Sequence, residues 1–110
     1  MAITSTRLAT GGLNYDVYTS SGNNAITTII ICNTLAAASQ TDEVTNSANL
    51  TLYLGTSATD TTTIVKNLNI PPGETVFFSE ERVVLSNGDK VIATSSLGAA
   101  LSVTVSTLSV

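Results

Sequence analysis

The chain has 110 residues, 43% of them hydrophobic and only 11% charged, with a formal net charge of −4. That length fits one domain around one core, and four cations (Arg7, Lys66, Arg82 and Lys90) leave no basic footprint for nucleic acid or an anionic membrane. The absence of His removes the commonest general base, a single Cys excludes an intrachain disulfide, and 19 Thr with 13 Ser mark a β-protein composition.

Residues 1–10 read as an N-terminal arm. They lack a basic stretch followed by an apolar run, which predicts no signal peptide and folding in a cytoplasm. No stretch reaches the run of about 18 apolar residues that a membrane helix needs.

Alternation of period two begins at Leu13, Tyr15 and Val17, set against Asn14, Asp16 and Tyr18. It predicts a strand with Tyr15 turned inward. Ser20, Ser21, Gly22, Asn23 and Asn24 form a cluster of turn residues. Residues 25–33 contain Ile26, Ile29, Ile30 and Ile31 and alternate poorly, as expected of a central strand covered on both faces. Cys32 ends that run, and with Ile31 and Asn33 beside it no adjacent cation or His activates it as a nucleophile, so it reads as buried and structural.

Residues 34–47 are the least strand-like. Leu35-Ala36-Ala37-Ala38 has helix propensity but is too short to hold a helix alone. The segment is expected to be a long loop with one helical turn, and Asp42 and Glu43 place it in solvent.

Ala48, Leu50, Leu52 and Leu54 then alternate strictly with Asn49, Thr51 and Tyr53, giving a strand with one face in the core. Asn49-Leu50-Thr51 fits a glycosylation triplet, which without a secretory signal is incidental. Residues 55–62 are small and polar, a loop. Residues 64–70 form a partly exposed strand, which Pro71 and Pro72 stop by removing ladder donors.

A short aromatic strand with Phe77 and Phe78 follows. Glu80 and Glu81 beside Arg82 form the densest charge group. Adjacent strand residues point to opposite faces, so the group reads as a solvated turn or edge and not as an acid–base pair. Val83-Val84-Leu85 is a short strand, and Ser86-Asn87-Gly88-Asp89 is a hairpin turn. Its one carboxylate is too little charge for a tight calcium site. Val91, Ala93 and Ser95 return along the second strand of that hairpin. Leu101, Val103 and Val105 open the last strand, while Leu108 and Val110 fall on the opposite parity. Either a bulge near Ser106-Thr107 restores the register, or the last residues pair on a different face.

Together these elements predict a single all-β domain over residues 1–110, an antiparallel β-sandwich of eight to nine strands, Ig-like or jelly-roll. No catalytic, metal or cofactor signature is present. Gly11-Gly12 and Gly22 lack the residues and the following helix of a phosphate-binding loop. Tyr18 and Tyr53 are a thin platform for stacking a sugar ring, which keeps a glycan-binding module as an alternative.

Two stretches carry a resemblance. Ile70-Pro71-Pro72-Gly73-Glu74-Thr75 leads into Val83-Val84-Leu85-Ser86-Asn87-Gly88-Asp89-Lys90-Val91-Ile92-Ala93. Upstream, Tyr18-Thr19 and Ile29-Ile30-Ile31-Cys32-Asn33-Thr34 stand in the same order. Over residues 13–108 the chain resembles a small β-sandwich of structural proteins of tailed bacteriophages, cyanophages included. In those proteins an IPAGET-like turn, a VLxxGDxIxA-like hairpin and a YTVP…VxVCNT segment recur. Ser20-Ser21-Gly22 departs from the pattern, which commonly has a proline-containing turn there. The resemblance implies a non-enzymatic virion component made in the bacterial host's cytoplasm. Its leading form is a capsid decoration or cement protein that contacts the major capsid protein or other virion proteins and is a homo-oligomer in the particle. A tail, baseplate, neck or fibre module would share the fold. Loops and termini of a rigid sandwich reach partners most freely, so the expected contacts are Ile3 and Arg7 in the arm and Leu35, Ala37, Asp42 and Glu43 in the loop.

Overall fold

Period-two alternation resolves into two antiparallel sheets packed face to face. The computed structural model describes residues 2–37, 39–78 and 83–110, with the side chains of residues 40, 43 and 60 outside that description. In chain order the elements are β1 (Ala2–Arg7), β2 (Asn14–Thr19), β3 (Asn24–Asn33), α1 (Gln40–Thr45), β4 (Ala48–Gly55), β5 (Thr63–Ile70), β6 (Thr75–Phe78), β7 (Val83–Leu85), β8 (Lys90–Ser95) and β9 (Leu101–Ser109). One sheet runs β1-β9-β3-β6 with β7 also on β3, and the other runs β2-β8-β4-β5.

β6 and β7 follow one another along the same edge of β3, with Cys32 opposite Thr75, Ile29 opposite Phe78 and Ile26 opposite Val83. Counted as one strand, they complete the eight-stranded jelly-roll order, in which the chain repeatedly crosses from one sheet to the other. This order decides between the two expected sandwiches. It also corrects the expected hairpin at residues 86–89. β7 pairs with β3 in one sheet and β8 with β2 and β4 in the other, so the turn bridges the sandwich. The turn is held by Asp89, whose Oδ2 accepts from the Ser86 amide at 3.0 Å, and by Asn87, whose Oδ1 accepts from the Gly22 amide at 2.9 Å.

The core lies between the sheets. Ile29, Ile31, Leu50, Leu52, Ile70, Val91, Leu101, Val103 and Val105 are all buried there. β3 is central in its sheet, but only one of its faces is covered. A register shift between Ile26 and Thr28 leaves Thr27 as an extra residue, so Ile26 and then Ile29, Ile31 and Asn33 face inward. The hydroxyl of Thr27 donates to the Ser106 carbonyl oxygen at 3.1 Å. The expected bulge near Ser106-Thr107 therefore lies on the partner strand. β9 itself runs straight, Thr107 takes a buried position and Leu108 turns outward.

Two further expectations change. Residues 2–7 are no free arm: they pair in continuous antiparallel register with β9, from Ala2 opposite Thr107 to Arg7 opposite Ser102. Cys32 is half-buried, on the outer face of β3 between Ser102 and Thr75, because the bulge sends Ile31 and Asn33 inward instead.

Residues 34–47 carry the chain from β3 across to β4. Residues 34–37 are irregular, and the helical turn comes later, at α1, capped by the Ser39 hydroxyl, which accepts from the Asp42 amide at 3.2 Å. Asn33, fully buried, anchors this crossing. Its Nδ2 donates to the carbonyl oxygens of Asn46 at 2.8 Å and Ile70 at 2.9 Å, and its Oδ1 accepts from the Leu35 amide at 3.0 Å.

Candidate interaction surface

Strand register sorts the outward side chains of the β1-β9-β3-β6 sheet into rows. Ser5, Thr104, Ile30 and Phe77 stand side by side in one row, and Arg7, Ser102, Cys32 and Thr75 in the next. Ile3, Ser106 and Thr28 form a third, and Leu108, Ala25 and Val84 a fourth. The Ser5 and Thr104 hydroxyls are bonded to each other at 3.0 Å. Among the described residues, Arg7 is the one charged side chain on this face. Four large apolar side chains stand on it in water: Ile3 at 69% exposure, Val84 at 64%, Phe77 at 63% and Leu108 at 45%.

The opposite sheet presents a different outer face. Lys90 Nζ pairs with Asp16 Oδ2 at 2.9 Å, Thr94 Oγ1 donates to Asn14 Oδ1, and the Asn67 amide donates to Thr51 Oγ1 at 3.2 Å. These groups satisfy one another and hold the surface polar. Tyr53 lies on this face, opposite Ile92, whereas Tyr18 lies opposite Val91 and packs against the core. The two tyrosines thus occupy opposite sides of one sheet and share no stacking platform.

The residues expected to touch a partner fall into separate places. Ile3 and Arg7 both point outward from β1. Arg7 is tethered by a 3.1 Å bond from its guanidinium to the Ala99 carbonyl oxygen, and the Thr34 amide bonds to Ala100 O at 2.8 Å, so Arg7 and the start of the 34–47 crossing meet at one end of the sheet. Ile3 lies about 13 Å away along the strand, four residues at the usual rise. Leu35 is half-buried and packs against the core, so it is part of the fold. Ala37 is exposed. Asp42 is the third residue of α1, and its carbonyl oxygen accepts from the Asn46 amide at 2.8 Å. The side chain of Glu43 lies outside the described residues, as do residues 80–82 with their charge group.

The exposed face of the β1-β9-β3-β6 sheet is what reading by strand propensity missed. Its signal lay in the doublets Phe77-Phe78 and Val83-Val84, since a strand must turn one member of each adjacent pair outward. Phe77 and Val84 are the outward members; Phe78 and Val83 pack on the core.

An apolar cavity of about 210 Å³ lies between the sheets, walled by Ile26, Ile29, Leu52, Leu54, Val65 and Phe78 among others. Its described lining side chains are all apolar, so among the described residues none there orients a ligand. Among the described residues no group of three or more His, Cys, Asp or Glu is placed to hold a metal ion, and no helix is long and apolar enough to cross a membrane. Comparison of the chain with protein-family models, with curated proteins and with solved structures finds no match in any of the three.

Proposed function

We propose that this chain is a non-enzymatic structural component of a tailed-phage particle, a decoration or cement protein that docks on neighbouring capsid subunits through the outer face of its β1-β9-β3-β6 sheet. The observation that carries the reading is the chemistry of that face, with hydroxyls and exposed apolar side chains around a single Arg7. Covering such a face removes much apolar area from water, while among the described residues only one charge must be desolvated. Exposed apolar patches rimmed by polar groups mark interaction surfaces. The motif resemblance supports a virion setting. The jelly roll agrees with it without selecting it, because that fold also serves lectins and cupins.

Immunogold labelling of purified particles with an antibody against the chain tests the proposal. Dense labelling over the head is expected, and Phe77→Asp abolishes it while leaving the circular dichroism spectrum unchanged. Labelling confined to the tail replaces decoration by a neck, baseplate or fibre role. Unlabelled particles overturn the virion reading.

A further inference from the structure

A jelly roll has four sheet edges, and here they differ in how they are guarded. On β5 the register with β4 shifts twice and Asn67 sits at φ 51°. β2 is broken by a shift between Asp16 and Tyr18 and carries the Asp16–Lys90 ion pair. The edge formed by β6 and β7 is divided between two short strands. Bulges, charges and short strands are the devices by which proteins blunt an edge against pairing. β1 has none of these: six residues in unbroken register, without proline, and with its one charge at the end.

The direction of its free backbone groups follows from the ladder. The Leu8 amide donates to Leu101 O at 3.0 Å. Bonding alternates along an antiparallel strand, so Thr4 and Thr6 also turn toward β9, and Ile3, Ser5 and Arg7 direct their amides and carbonyls outward. The same three residues carry their side chains on the outer face of the sheet.

We infer that β1 pairs with β1 of a second copy of this chain, antiparallel across a two-fold axis at Ser5. The inference rests on the reading of the chain as a structural component of a particle and adds an edge through which its copies pair. A two-fold perpendicular to the sheet keeps both outer faces on one side. It therefore places outward residues opposite outward residues. Centred on Ser5, it sets Ser5 against Ser5 and Ile3 against the other copy's Arg7, so that three bonded pairs close the edge. Arg7 then meets an apolar side chain and not a second Arg7, and its aliphatic stem covers Ile3, which stands 69% exposed in the monomer. The Ser5-Thr104-Ile30-Phe77 row runs on into its own two-fold image, joining the two outer faces into one docking surface. A six-residue edge buries less than the roughly 1,200 Å² typical of stable complexes. The pairing is therefore weak in dilute solution and is favoured where copies are held side by side.

Disulfide trapping on the purified chain tests this without any particle. A bonded antiparallel pair holds its Cα atoms about 5.5 Å apart, within the roughly 4.4–6.8 Å that a disulfide spans. In a Cys32→Ser background, Ser5→Cys is expected to cross-link about tenfold faster than Ile3→Cys or Arg7→Cys alone, because only its thiols are held facing each other. A mixture of Ile3→Cys and Arg7→Cys chains should link as fast as Ser5→Cys. Ser5→Pro removes an outward amide that β9 does not use, so in sedimentation runs at high concentration it should retain the fold and lose self-association. Equal cross-linking rates at all three positions overturn the inference. So does association of Ser5→Pro at the level of the parent chain, whatever labelling of particles shows.

Discussion

The side-chain amide of Asn33 donates to the main-chain carbonyl oxygen of Ile70 across 2.9 Å, at a point buried from water. The backbones of the same two stretches are also tied: the Asn33 amide bonds to Glu74 O at 2.9 Å and the Gly73 amide to Asn33 O at 2.9 Å. One residue, through side chain and backbone together, thus secures the end of β5, the turn after it and the crossing that carries α1. Asn33→Leu leaves the carbonyls of Asn46 and Ile70 and the amide of Leu35 without their partner. It should lower unfolding free energy by about 3 kcal/mol in urea titration, since each buried unsatisfied group costs about 1–3 kcal/mol.

Asn33→Asp turns the same junction into a pH-dependent one. A carboxylate can accept from Leu35 but cannot donate to two carbonyl oxygens, so the folded state favours the protonated acid and raises its pKa above the unfolded value of about 3.9. The native state then binds the extra proton. Stability of the variant is therefore highest below about pH 4 and falls as pH rises through the folded pKa. Thermal unfolding relative to the parent chain should show a deficit that widens from pH 4 to pH 7.

Gly11 and Gly98 sit where the β1–β2 and β8–β9 connections touch. A Cβ on Gly11 would meet Ser96 O at 3.0 Å, and one on Gly98 would meet Ala9 O at 3.2 Å. Backbone on both sides leaves little room to give. Gly11→Ala should destabilise the domain by about 1–3 kcal/mol, as overpacking does, measured as a lower denaturation midpoint with the m-value unchanged.

Lys90→Ala should do far less. The Lys90–Asp16 pair is partly exposed, with side-chain accessibilities of 32% and 50%. Ion pairs of this kind contribute about 0–1 kcal/mol, and a larger loss on urea titration would show that the pair also organises the bulged β2.

Within the 34–47 crossing, Leu35 and Ala37 should behave differently. Leu35→Ala removes core contact and lowers stability by about 1–2 kcal/mol. Ala37→Asp, at an exposed position, should leave thermal unfolding unchanged. Any attachment that depends on this segment is therefore read cleanly from Ala37 and not from Leu35.

Much of this architecture is legible in the residues. Strict alternation in Ala48, Leu50, Leu52 and Leu54 gives the face and direction of β4, and Pro71-Pro72 marks the end of β5. The bulge at Thr27 was not legible. Its cause lies opposite, where Thr107 takes a core position that composition alone would give to an apolar residue. The same limit applies to the 86–89 turn: its residues define a tight reversal, but the strands it serves belong to different sheets, and pairing partners far along the chain decide that. The stretches around Asn33 and around Gly73, recognised separately by their texture, are in contact. They mark a fold-holding junction, which explains why they speak to architecture more than to a site. The apolar outer face of the β1-β9-β3-β6 sheet was half legible, in doublets such as Phe77-Phe78.

The pairing of β1 with β9 also sets a schedule. Of the described strands β1 is made earliest and β9, its neighbour in the sheet, latest. At roughly 5–20 residues per second, Ala2–Arg7 must wait on the order of ten seconds before its ladder can form. Until β9 emerges, the nascent chain carries β1 without its partner strand, so the first-made strand closes the sheet last.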